Sequence, residues 1–165
     1  MTKPACVHVL YIATTPELLW AALTQGRFTQ QYWYGRRVES DWTPGVPIQF
    51  YDRETDVVTD KGVVLEYDRP RKLAYTFQVE FDAQAKKLGE SRVTFLLEEV
   101  DELVKLTLVH DELPSQQVAD GFREGWAPIL SSLKTFMETG RPLAEVPLGH
   151  RRGDYSVSNE TPAGT

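Results

Sequence analysis

Between positions 36 and 110 the chain alternates apolar and polar residues with a period of two, most plainly in the rows Leu73, Tyr75, Phe77, Val79; Val93, Phe95, Leu97; and Leu106, Leu108, His110. Successive side chains of a strand point to opposite faces, so each row predicts one buried strand face. Six strands are predicted, near 36–42, 46–52, 57–67, 71–81, 91–100 and 103–110. Between them stand Thr43-Pro44-Gly45, the polar run 53–56, Asp68-Arg69-Pro70, the polar stretch 82–89 and Asp101-Glu102. Such short breaks favour antiparallel neighbours in a meander. Ahead of them, positions 7–12 are β-branched and apolar enough for a further buried strand.

Two stretches change to helical spacing. After the first strand, Thr15 is placed to cap a helix with Pro16 in its first turn, and Leu18, Leu19, Ala22 and Leu23 give it an apolar stripe with Trp20 at its edge. Positions 28–33 allow another short helical turn before Gly35. Over 115–138, Val118, Phe122, Trp126, Ile129, Leu130, Leu133, Phe136 and Met137 recur at three and four, with Ser115 as cap and Gly140 as terminator. Gly121, Gly125 and Pro128 inside this helix cost roughly 1, 1 and 3 kcal/mol against alanine. Burying Phe122, Trp126, Ile129 and Leu133 at roughly 1.5–3 kcal/mol each offsets that cost, provided a concave sheet receives them. Pro128 also removes a bond to the Glu124 carbonyl, which predicts a bend.

This order of elements predicts an α+β fold, a curved antiparallel sheet of about seven strands wrapped around a long C-terminal helix. One helix does not fill the concavity of a strongly bent sheet, so bulky side chains or a ligand occupy the rest. Trp33, Trp42, Phe50, Tyr75, Phe77, Phe95, Phe122 and Trp126 are the aromatic candidates for lining that space, joined by Leu108, His110, Ile129 and Leu130. The plainer alternative is that these rings simply close the core.

Composition narrows the function. With 165 residues, 41% hydrophobic and 25% charged, the chain suits one domain, read as 1–140, followed by a tail, 141–165, where Gly, Pro, Ser, Thr and Arg replace periodic apolar residues. A net charge of -6 argues against nucleic acid and anionic membrane surfaces as partners. No run is long and apolar enough for a membrane span, and the N-terminus lacks a secretion signal, so a cytoplasmic setting is expected. The single Cys6 excludes an internal disulfide framework.

The candidate chemistry is sparse. His110 shares the apolar phase of Leu106 and Leu108, while Cys6 and His8 share that of Leu10 and Ile12. Glu66 enters the interior if the phase of Gly62 and Val64 faces inward; Val63, Leu65 and Tyr67 form an equally apolar opposite row. His110, His8 and Glu66 are thus the candidate catalytic residues, weighed against satisfied core histidines and a solvated acid. Cys6, His8 and His110 form a poor zinc set, since strand positions two apart seldom converge, and no metal or cofactor is expected. Ser131 and Ser132 have no adjacent base, and Glu98, Glu99, Asp101 and Glu102 read as a solvated turn. In the tail, Arg141, Arg151 and Arg152 are locally basic, and the acceptor triplet Asn159-Glu160-Thr161 is read as accidental.

Five motifs occur in one order: the stretch 15–24 (Thr-Pro-Glu-Leu-Leu-Trp-Ala-Ala-Leu-Thr), Tyr32-Trp33-Tyr34-Gly35, the stretch 62–66, the stretch 106–110, and Gly125-Trp126 with 130–140. Together they resemble the SRPBCC superfamily, and more closely its bacterial proteins related to the C-terminal domain of the activator of the ninety-kilodalton heat-shock chaperone's ATPase. The resemblance spans roughly residues 5 to 140. It implies a helix-grip, START-like fold with a hydrophobic cavity between sheet and terminal helix, and antiparallel pairing of first and last strands that brings His8 near His110. Three functions follow as expectations. The first is binding of a small hydrophobic or aromatic ligand without catalysis. The second is a cyclase or hydrolase with His110 as base and His8 or Tyr75 positioning the substrate. The third is a chaperone-interacting module, and a homodimer is a compatible assembly.

Overall fold

A computed structural model describes residues 3–144. Its elements are β1 (Cys6–Ile12), α1 (Pro16–Thr24), α2 (Gly26–Tyr32), β2 (Arg36–Ser40), β3 (Pro47–Asp52), β4 (Val58–Asp68), β5 (Lys72–Val79), α3 (Ala83–Lys86), β6 (Ser91–Val100), β7 (Leu103–Asp111) and α4 (Gln116–Thr139). The strands form a seven-stranded sheet in the order β1-β7-β6-β5-β4-β3-β2. All its neighbours are antiparallel. The meander is therefore as expected, and β1 returns to lie beside β7. Among the described residues, no helix is long and apolar enough to cross a membrane.

The period-two rows all face the core: Leu73, Tyr75, Phe77, Val79, Val93, Phe95, Leu97, Leu106, Leu108 and His110 are buried. Helix α4 lies on this face and buries Val118, Phe122, Trp126, Ile129, Leu130 and Leu133 against it. Its ends follow the residues placed there. Ser115 Oγ accepts from the Val118 N–H, and Gly140 takes the left-handed conformation at φ 83° while its N–H donates to the Phe136 carbonyl. The helix runs through Pro128 as one element. Side chains collect two carbonyls of the turn before it: His8 Nε2 bonds the Arg123 carbonyl at 3.1 Å and Tyr34 O–H donates to the Gly125 carbonyl at 3.0 Å.

Two local expectations are corrected. In α1 the stripe is Leu19, Trp20, Ala22 and Leu23, and Leu18 points outward, 60% exposed. Trp20 turns in because its indole N–H donates to the Tyr67 hydroxyl at 3.1 Å, a partner contributed by β4. Within the polar stretch 82–89, Asp82 caps α3 by accepting from the Gln84 N–H, and Ala85 is buried.

Strand β4 carries two register shifts, and they position the site. The first lies where Phe50 pairs with Asp60 and Tyr51 with Val58, skipping Thr59. The extra residue turns Thr59 and Asp60 inward together. The second lies between Val64 and Glu66, so Val64 is buried, Leu65 and Glu66 are exposed, and Tyr67 returns toward the core. Gly62 permits the close approach of β5 between them: a Cβ there would sit 1.7 Å from the Thr76 carbonyl oxygen.

Candidate functional site

Of the twelve residues proposed to line a cavity, eleven lie in the buried core. Their rings touch one another. Trp33 lies 4.9 Å from Phe50 and 5.1 Å from Trp126 between centroids, Phe95 is 6.1 Å from Trp126, Phe50 is 5.9 Å from Phe77, and Tyr75 is 6.2 Å from Phe95. Leu108, Ile129 and Leu130 complete the packing, and the Phe122 ring lies tilted against His110 with centroids 4.3 Å apart. The space between the sheet and α4 is thus occupied by the rings themselves. Trp42 is placed elsewhere: half-buried at φ 51°, it donates its indole N–H to the Thr24 carbonyl at 3.0 Å and stacks on Tyr67, closing the end of α1.

His110 is fully buried, as its phase required, and both ring nitrogens are engaged. Trp126 Nε1–H, which only donates, reaches His110 Nδ1 at 3.0 Å, so Nδ1 is the unprotonated nitrogen. Nε2 then carries the proton and donates to Ser91 Oγ at 2.7 Å, and Ser91 O–H donates to the Phe77 carbonyl at 3.0 Å. The chain of donors runs one way with no group left over. Burial pushes the imidazole down to about 3, so it is neutral through the physiological range. Both nitrogens are thus engaged within the core, an arrangement that opposes the expectation of His110 as a base.

The other catalytic candidates are also relocated. Register pairs Cys6 with His110 and His8 with Leu108, so His8 lies diagonally from His110, but its Nε2 bonds the Arg123 carbonyl of α4. The two histidines share no hydrogen bond, and His8 is only half-buried. Burial raises the Cys6 thiol to about 11, which leaves it un-ionised. Glu66 faces solvent and pairs with Lys72 at 3.2 Å, because the second shift in β4 throws it outward. An interior acid at Glu66 is therefore ruled out. The tail from residue 145 onward, with Arg151, Arg152 and the triplet Asn159-Glu160-Thr161, lies outside the described residues.

A polar cluster escaped the reading of the sequence. Arg36, in phase with buried Val38, turns its side chain inward, where Nε lies 2.7 Å from Asp60 Oδ2. Thr59 O–H donates to the same oxygen at 2.8 Å, and the guanidinium lies 5.6 Å from the Phe81 ring centroid. Burial raises the Asp60 carboxyl against the opposing pull of Arg36. Asp60 Oδ1 is buried with no hydrogen-bond partner among the described residues, and so is the Trp33 indole nitrogen. Beside the pair is a void of about 30 Å³ lined by Tyr34, Arg36, Asp52, Thr59 and Phe81. Tyr34 and Asp52 also line an outer cleft of about 480 Å³, with Gln30, Gln31, Tyr32, Arg53 and Leu143 among its other walls. Tyr34 takes a left-handed φ of 48°, costly for an aromatic residue, with Gly35 at 74° next to it. An inward charge in phase with Val38 was the available signal for Arg36; nothing local marked Asp60.

The family model described as activator of Hsp90 ATPase homolog 1-like protein matches residues 13–138. The chain belongs to this family. Solved structures agree on the fold. Protein MLL2253 from Mesorhizobium loti is 22% identical, with a TM-score of 0.66 over 79% of this chain and 94% of that one. CalU16 from Micromonospora echinospora is 16% identical, with a TM-score of 0.67 over 93% and 84%. The Aha1 dimer from Colwellia psychrerythraea is 19% identical, with a TM-score of 0.63 over 82% and 97%. At these identities the likeness establishes the START-like architecture. Curated proteins yield no match.

Proposed function

We propose that this family member binds a small hydrophobic or aromatic molecule between the sheet and α4, and that the molecule carries a hydrogen-bond acceptor. The observation that carries this reading is the Trp33 indole N–H, buried among Phe50 and Trp126 with no acceptor among the described residues. An unmet buried donor costs about 1–3 kcal/mol, which an acceptor on an inserted ring restores. The rings fill the interior, so admission requires one to move. Trp33 is the best placed, because it ends α2, precedes the two left-handed residues Tyr34 and Gly35, and stands in the chain between Tyr32 and Tyr34, which line the outer cleft. The ligand then meets Trp33, Phe50, Tyr75, Phe95, Phe122 and Trp126. A cytoplasmic setting belongs to this proposal.

Calorimetric titration with 2-acetylnaphthalene and with 2-ethylnaphthalene, which lacks the carbonyl, tests it. Saturable binding is expected for both, with Trp33→Phe weakening the ketone about 5-fold and leaving the hydrocarbon unchanged, as for one lost hydrogen bond. Absence of saturable binding by either compound, together with native mass spectra free of any co-purified molecule, overturns the reading. The cyclase or hydrolase alternative with His110 as base is opposed by that ring's closed hydrogen bonding. A second reading, chaperone binding, rests on the family match; retention of purified Hsp90 on the immobilised protein supports it and lack of retention removes it.

A further inference from the structure

The sheet has two edges, β1 and β2, and they are finished differently. Strand β2 has five residues, carries Arg37 and Glu39, and gives its Val38 N–H to Thr29 Oγ1 of α2 at 3.1 Å. A short, charged, covered edge resists pairing with another strand. Strand β1 has seven residues, and its outward row of Val7, Val9 and Tyr11 is 52%, 52% and 46% exposed. The backbone of the odd-numbered residues faces away from β7. Two caps from α4 show this: Lys134 Nζ donates to the Tyr11 carbonyl at 2.6 Å, and Glu138 Oε2 accepts from the Ala13 N–H at 2.8 Å. Among the described residues Val7 and Val9 receive no such cap, so two N–H and two C=O groups stand on an open edge.

We infer that this edge pairs antiparallel with the same edge of a second copy of the chain, about a two-fold axis at His8. Val7 then faces Val9 of the second copy and exchanges N–H and C=O bonds with it, and Val9 does the same with Val7 of the second copy. All four open groups are satisfied by the same four groups of the copy, and the Tyr11 carbonyl stays with Lys134. The outward row suits this pairing because it is uncharged and self-matching, giving valine-on-valine cross-strand contacts at its centre, and Cys6–Ile12 itself holds no Lys, Pro or bulge. Since the β2 edge is capped, head-to-tail growth from β1 to β2 of another copy is blocked, and the assembly closes as a dimer.

Sedimentation across micromolar to submillimolar concentrations tests the pairing. The wild type is expected to reach a dimer, and Val7→Lys with Val9→Lys to remain a monomer with unchanged circular dichroism and with the melting temperature that the wild type shows at its lowest, monomeric concentrations, since both side chains face solvent in the single chain. Val63→Lys, on an exposed row of β4 away from the edge, is expected to dimerise like the wild type. His8→Cys is expected to form an intermolecular disulfide under mild oxidant, because position 8 meets its own copy at a non-hydrogen-bonded pair, where Cβ atoms lie about 4.5–5.5 Å apart. A wild type that sediments as a monomer throughout, a double-lysine variant that still dimerises, or a His8→Cys variant that does not cross-link overturns the inference.

Discussion

Two buried polar sites share one apolar core and are finished in opposite ways. At the β6–β7 side, His110, Ser91 and Trp126 form a one-way chain of donors that ends on the Phe77 carbonyl, and each group finds its partner. At the β2–β4 side, Arg36 and Asp60 are a charged pair set beside a void, and among the described residues Asp60 Oδ1 is unmet, as is the Trp33 N–H. Polar groups that are fully satisfied stiffen a core, whereas partly satisfied ones hold free energy that another molecule or a rearrangement can release. Tyr34 belongs to the second site, where the strained backbone, the void and the outer cleft also coincide. The contrast sets a closed hydrogen-bond chain beneath the C-terminal half of the sheet against an incompletely satisfied one beside α2.

The largest expected effect probes the charged pair. Asp60→Ala leaves the Arg36 cation buried beside a lost anion, and urea denaturation is expected to show a loss of about 3–5 kcal/mol. Replacing both, Arg36→Met with Asp60→Leu, is expected to recover most of that loss, because neither charge then needs desolvation. A single substitution costing under about 1 kcal/mol would erase the distinction between the two sites.

Acid probes the histidine. Its folded value of about 3 lies below the ordinary 6.5, so its contribution is fully present above pH 6.5 and is lost as pH falls toward 3. The slope is about 1.4 kcal/mol per pH unit, read from urea melts between pH 7 and 4. Trp126→Phe sharpens the assignment: it is expected to cost about 1–3 kcal/mol at pH 7 by leaving Nδ1 without a donor. Its acid slope should also be shallower, since a free Nδ1 accepts a proton more readily. A slope unchanged from wild type would mean that the indole does not hold Nδ1. The smallest effect is expected of Glu66→Gln, whose exposed pair with Lys72 is worth under about 0.5 kcal/mol, and ligand titration should not register it.

Much of this architecture was legible beforehand for reasons that particular residues make plain. The rows ending in Val79, Leu97 and His110 gave the buried strand faces, because a pleated chain with one wet face must alternate. Ser115 and Gly140 marked both ends of α4, since a cap satisfies orphan backbone groups with residues adjacent in sequence. Trp20 and Leu18 exchanged roles because their exposure depends on Tyr67, supplied from β4. Glu66 moved outward and Asp60 inward because each follows a register shift, and an extra residue in a strand carries no compositional mark. Tyr34 lay within a recognised motif, yet its left-handed backbone and its bond to Gly125 on α4 had no local signal.

The amino-acid order by itself determined the number and direction of the strands, the terminal helix with its caps, and the burial of His110, because period and capping are local. Only the tertiary structure decided which groups that histidine meets. Its two partners lie 19 and 16 positions away on other elements, and together they consume both nitrogens. The same holds for the Arg36–Asp60 pair, joined across strands by a shift in β4 whose phase no alternating pattern records.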